Sequence, residues 1–120
     1  MKAPMKKLLI TLFCCAAAVT AASAHAFLDH AEPKVGSRVR AAAEIKIWFT
    51  EGIILPFSDI KVTNPSGKEV QTGKYLDPDH NNILIAPVQR LELGKYKVSW
   101  RVTAVDTHVT QGFYVFEVVQ

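Results

Sequence analysis

Lys95-Tyr96-Lys97-Val98-Ser99-Trp100-Arg101-Val102 is the stretch that decides the fold. Aromatic and β-branched residues fall at 96, 98, 100 and 102, with Lys95, Lys97, Ser99 and Arg101 between them. Successive side chains of a strand point to opposite faces, so this alternation describes one buried and one solvated face. Ile45, Ile47 and Phe49 repeat the pattern against Glu44, Lys46 and Trp48. Near the C-terminus, Phe113, Val115 and Glu117 alternate with Tyr114, Phe116 and Val118. Shorter runs at 26–30, 58–63, 68–72 and 82–86 add strands, the first of them opening the first sheet.

Between residues 25 and 120 the chain has 12 Val and 7 Ile against 6 Leu, a bias towards side chains that suit a pleated surface. Asn64-Pro65-Ser66-Gly67 is a turn in which proline pre-sets one dihedral and glycine supplies the freedom that follows. Asp77-Pro78-Asp79, Ala86-Pro87 and Leu93-Gly94 mark other breaks. Outside the N-terminal region no segment has ten residues of helical periodicity, and there is no repeat or linker. About seven short strands predict an all-β domain, an immunoglobulin-like sandwich or a small barrel. Trp48 and Trp100 are expected to pack in the core or between strands, and Ile53-Ile54-Leu55-Pro56-Phe57 to cover the core as strand or loop.

The N-terminal region is of another kind. Lys2, Lys6 and Lys7 precede an apolar run from Leu8 to Val19, and Ala22-Ser23-Ala24 follows. A positive start, a short apolar stretch and an Ala-x-Ala site predict a cleaved signal peptide over 1–24, followed by one domain over 25–120. The run is shorter than the roughly 20 residues that a membrane-spanning helix needs. Neither Cys14 nor Cys15 follows the small residue that lipoprotein processing requires, since Phe13 and Cys14 precede them.

Cleavage after Ala24 would change the charge. The whole chain carries 14 Lys and Arg against 11 Asp and Glu, a net +3, and three of those lysines lie in the leader. The 96 residues that remain of 120 are neutral, which removes the case for nucleic acid or an anionic membrane as partner. Both cysteines and both methionines, Met1 and Met5, would leave too. Without disulfides, the domain must rest on its core alone.

The same cut would make His25 the first residue. An N-terminal histidine offers a metal two nitrogens at once, its free amine and its imidazole. The amine deprotonates at modest cost, since its ordinary pKa is about 7.7–8.0. Asp106-Thr107-His108 follows the strongest strand, and in an extended chain residues two apart share a face, so Asp106 and His108 are expected to converge. Neither piece is specific alone. Together they give an amine, two imidazoles and a carboxylate, a set that suits Cu(II) or Ni(II) and tolerates Zn(II); by the Irving–Williams order copper binds most tightly.

At these residues the chain resembles the CopC family. The resemblance is carried by His25-Ala26-Phe27-Leu28, Glu32-Pro33 with Gly36-Ser37, Ile47-Trp48-Phe49-Thr50-Glu51, and Lys95 to Val102 running into Asp106-x-His108. It covers essentially all of residues 25–120 in order, and its specific part is the terminal histidine with the strand and Asp-x-His block. It implies a Greek-key β-sandwich, a periplasmic location and a Cu(II) site. The implied ligands are the amine and imidazole of His25 and the imidazole of His108, with Asp106 nearby or weakly ligating. Glu51 matches an acidic position near the metal in some members and is a candidate supporting group. Several members carry a methionine-rich Cu(I) loop; this sequence departs from them, having no methionine after Met5, so a single Cu(II) site is expected.

The expected function is a soluble exported protein that holds Cu(II) for resistance, buffering or delivery. Copper is its ligand and an inner-membrane copper transporter its candidate protein partner. Two other classes stand beside it. A copper-dependent redox enzyme with a histidine-brace site would need an extended substrate surface, for which 96 residues leave little room. A metal-free immunoglobulin-like binding module would dock through an apolar patch such as 53–57. No acid–base pair, activated nucleophile or phosphate loop stands out, so no enzyme is expected. His30 is expected on the strand face opposite His25, solvated or packed, and His80 solvated in the polar turn Asp77-Pro78-Asp79-His80-Asn81-Asn82.

Overall fold

The computed structural model describes residues 25–120, so the leader expected at 1–24 lies outside the described residues. The strands are β1 (Leu28–Glu32), β2 (Arg38–Val39), β3 (Glu44–Phe49), β4 (Asp59–Thr63), β5 (Tyr75–Leu76), β6 (Ile83–Pro87), β7 (Gly94–Thr103) and β8 (Val109–Val118). They form two four-stranded sheets, ordered β1-β3-β6-β5 and β2-β8-β7-β4. Only β5–β6 and β7–β8 are successive strands of one sheet; every other connection crosses between sheets, giving the immunoglobulin-like Greek-key sandwich expected. The pairs are antiparallel except β2 with β8. Among the described residues, no helix is long and apolar enough to cross a membrane.

The alternating residues fill the space between the sheets. Ile45, Ile47 and Phe49 of β3 face Tyr96, Val98, Trp100 and Val102 of β7, and all are buried. Each such side chain contributes roughly 1.5–3 kcal/mol of transfer free energy. Trp100 meets Phe49 of the opposite sheet edge-on at 5.9 Å. On β8, Tyr114, Phe116 and Val118 point inward, leaving Phe113 and Val115 exposed. Trp48 lies on the outer face of β3, half-buried, with the His30 ring stacked on it at 4.2 Å from the neighbouring β1. It is an inter-strand contact, whereas Trp100 is core.

Two expectations are corrected. The run at 68–72 is not a continuous strand: Glu69 bridges to Thr63 beside β4, and Gln71 bridges to Val88 after β6. It changes sheets within a few residues, which no strand can do while keeping one ladder. The two-residue strands β2 and β5 are additional, because Arg38-Val39 and Tyr75-Leu76 are too short to show a period. Within 53–57, Ile53 is buried and bridges to Ala104, but Leu55–Phe57 forms a 3-10 turn that leaves Phe57 exposed. Buried Ser58 stabilises this corner, its hydroxyl donating to Ile54 O at 2.8 Å and accepting from Thr103 N at 3.1 Å.

Gly112 lies opposite Trp100 in the β7–β8 register. A Cβ there would stand 2.7 Å from Trp100 Cζ2, and the rigid indole is confined by Phe49 and Tyr114. Gly112→Ala is therefore expected to destabilise by about 1–3 kcal/mol, read as a lower urea midpoint at unchanged slope. An unchanged midpoint would show that the ring moves freely.

Candidate metal centre

Three side chains converge at one end of the sandwich. One ligand atom each from His25, Asp106 and His108 can be chosen so that all lie within 4.8 Å of one another, and among the described residues this is the only such group of three or more. Two ligands at about 2 Å from one ion are separated by up to about 4 Å, so small rotations suffice.

His25 is brought there by the backbone that follows it. Ala26 is fully buried, and its carbonyl accepts a hydrogen bond from Thr110 Oγ1 on β8. Thr50, just past β3, donates through Oγ1 to His25 O at 3.0 Å and accepts there from Phe27 N, also at 3.0 Å. Thr50 N completes the clasp with Phe27 O at 2.8 Å. Residues 25–27 are thus held from both sheets. These threonines position the site, and a threonine near a strand end has no distinguishing sequence signal.

Asp106 and His108 are set by a turn. Thr107 N donates to Ala104 O at 2.8 Å, and Ala104 N to His108 O at 2.9 Å. Asp106 Oδ1 accepts from His108 N at 3.0 Å, and Thr107 has φ 74°. A left-handed conformation at a β-branched residue costs of order 1–3 kcal/mol, so the surrounding hydrogen bonds must enforce it. The two residues therefore converge because the chain turns, and the extended geometry expected from their spacing is corrected.

In this arrangement the second oxygen of Asp106 faces both rings. Asp106 Oδ2 is 3.3 Å from His108 Nδ1 and 3.7 Å from His25 Nδ1, and the two imidazole centroids are 4.4 Å apart. His25 and Asp106 are half-buried; His108 is exposed. His25 Nδ1 is itself buried and has no hydrogen-bond partner. A buried polar atom left without a partner is costly, and an ion bound there would satisfy it.

The other candidates stand apart. Glu51 is half-buried, but the polar contact to residue 25 comes from its neighbour Thr50. His30 is exposed, pairs with Asp29 at 2.7 Å and stacks on Trp48. His80 pairs with Asp77 at 3.3 Å within its own turn, where the N–H of Asp79 and then the His80 ring hold the Asp77 carboxyl below its usual range.

An immunoglobulin-like sandwich with two imidazoles and a carboxylate gathered at one end defines a class, a small all-β domain with a candidate metal centre between its loops. Comparison with known proteins makes the class specific: residues 28–119 match the CopC domain, and the chain belongs to the CopC family. It is 36% identical over 98 residues to protein YobA of Escherichia coli K12, covering 79% of each chain. It is 34% identical over 117 residues to copper resistance protein C of Pseudomonas syringae pv. tomato, covering 91% of this chain and 93% of that one. Among solved structures, CopC from Methylosinus trichosporium OB3b aligns with a TM-score of 0.73 at 29% identity, over 78% of this chain and 93% of its own. PcoC, a methionine-rich copper resistance protein from Escherichia coli, aligns with a TM-score of 0.72 at 29% identity, over 80% and 100%.

The hydrogen bond from His108 N, followed by the His108 and His25 rings, outweighs partial desolvation and holds the Asp106 carboxyl below its ordinary value. A depressed carboxyl pKa adds stability above the unfolded value, about 3.9, and that stability is lost as pH falls through the folded value. Carboxyl NMR titration of Asp106 should give a midpoint below about 3.9, and Asp106→Ala should reduce the acid-side loss of stability below about pH 4. A midpoint at or above that of a free aspartate would contradict the hydrogen-bonded geometry.

Proposed function

We propose that this protein is exported to the periplasm, cut between Ala24 and His25, and there holds one Cu(II) ion for resistance, buffering or delivery. The new amine and the imidazole of His25 form the chelate, His108 adds a third nitrogen, and Asp106 supplies a carboxylate. The observation that carries this reading is the orphaned His25 Nδ1 beside Asp106 and His108. An amine and an imidazole of one histidine close a small ring only through Nδ1, because Nε2 lies on the far side of the imidazole. The atom without a partner is thus the atom the chelate requires.

The family supports copper as the ion, since relatives over most of this chain are named copper resistance protein C. The nitrogen and oxygen donors favour the divalent state, and no sulfur follows Cys15 to favour Cu(I). In this the chain differs from its methionine-rich structural relative. A membrane transporter as receiver is supported by copper transport protein CutJ of Bacillus subtilis: a 98-residue match at 29% identity is only 18% of that protein. There a segment similar to this domain is part of a much longer transport protein; here it would act as a separate carrier. Binding and release by ligand exchange need no catalytic group.

The decisive comparison is between protein beginning at His25 and protein keeping one extra residue before it. The extended form replaces the amine by an amide and is expected to bind Cu(II) at least about tenfold more weakly, with a changed EPR spectrum. His108→Ala should weaken binding similarly, and His80→Ala should not. Equal affinity and identical spectra for the two N-termini would overturn the chelate.

A further inference from the structure

On the outer face of β4, β7 and β8, side chains fall in rows fixed by the strand register. Asp59, Arg101 and Gln111 form one row, Lys61, Ser99 and Phe113 the next, and Thr63, Lys97 and Val115 a third. The 3-10 turn adds a wall, and the result is a groove of about 1030 Å³ lined by Phe57, Lys61, Lys74, Lys97, Arg101 and Phe113, among others. Ser99 and Gln111 are also part of its lining. Phe57 and Phe113, 68% and 63% exposed, are the most exposed large apolar side chains described.

The charge there is one-sided. Four cations line the groove with one carboxylate, Asp59, although residues 25–120 carry 11 of each sign. Lys74 is engaged, donating to Ser58 O and standing 3.9 Å from Asp59. Among the described residues, Lys61, Lys97 and Arg101 have no ion-pair partner; Lys97 rests over the Phe113 ring at 4.7 Å. Holding four cations together with a single carboxylate among them is unfavourable, and an anionic partner relieves it.

We propose that this groove docks an acidic, aromatic-containing segment of another protein. Carboxylates of the segment pair with Lys61, Lys97 and Arg101, and an apolar side chain seats between Phe57 and Phe113. The hydroxyl of Ser99 and the amide of Gln111 meet the backbone of the segment. The hydrogen-bonding groups of Ser99 and Gln111 beside the cations favour a peptide chain, whose backbone offers partners to both, over a lipid surface. Copper plays no part in this contact, so it stands independently of the metal chelate.

The test uses the purified protein and a labelled peptide in which glutamates alternate with tyrosines. Anisotropy should show saturable binding that weakens as salt rises, and amide NMR shifts should concentrate at 97–101 and 111–113. Lys97→Glu combined with Arg101→Glu should weaken binding by about tenfold or more, whereas Arg40→Glu, at a different surface, should leave it unchanged. Shift mapping on the unaltered protein tests the surface even if the double variant fails to fold. Shifts located elsewhere, equal binding of a lysine–tyrosine peptide, or undiminished binding by a folded double variant would overturn the proposal. So would retention on phosphatidylglycerol vesicles without peptide binding.

Discussion

Ala26 is buried between the sheets, and the carbonyls around it are bound from two directions, by Thr50 beyond β3 and by Thr110 on β8. This double attachment fixes the path of the chain where it enters the sandwich. A terminal segment without it would fray, since the ends of a domain are ordered only when tied down. His25 is therefore carried against the β7–β8 turn by hydrogen bonds to its own carbonyl and to the two residues that follow it. The buried strands enter the same arrangement, because Thr50 and Thr110 are aligned only while the two sheets are packed on Phe49, Trp100 and Val102.

The second half of the centre is organised differently. Asp106 uses one oxygen to cap the His108 N–H and leaves the other facing the two rings. One carboxylate thus shapes the turn and supplies negative potential to the space between the imidazoles. The strained dihedral at Thr107 belongs to the same economy of structure: it brings residues 106 and 108 together over a shorter path than a strand would allow.

Much of this was legible in the sequence. β3 and β7 were readable because each has one wholly apolar face, and period-two patterns need only a few residues to declare themselves. The beginning of β8 was not, since Thr110, Gln111 and Gly112 carry no apolar signal and become strand by pairing with β7 along its full length. β2 and β5 were hidden for the same reason: two residues hold no period. At the candidate metal centre the three residues were identifiable by their chemistry, while the threonines that position them were not. The Asp106–His108 convergence followed from a turn whose dihedrals no spacing rule contains. Thr50, beside the Glu51 that the resemblance pointed to, makes the polar contacts to residues 25 and 27, because a hydroxyl can donate and accept at once.

The open borders of the two sheets have a consequence for how such a domain behaves at high concentration. β2 and β5 are border strands of two residues each, and β4 is partly covered by the bridge from Thr63 to Glu69. The remaining border, β1, carries Asp29 and Glu32, breaks its register between Leu28 and His30, and runs into Pro33. Backbone groups along an uncovered border are a template for cross-β growth, and charge, irregular register and proline each spoil that template. A domain without disulfides thus gains protection against fibril formation from its perimeter, at positions that contribute little to its core.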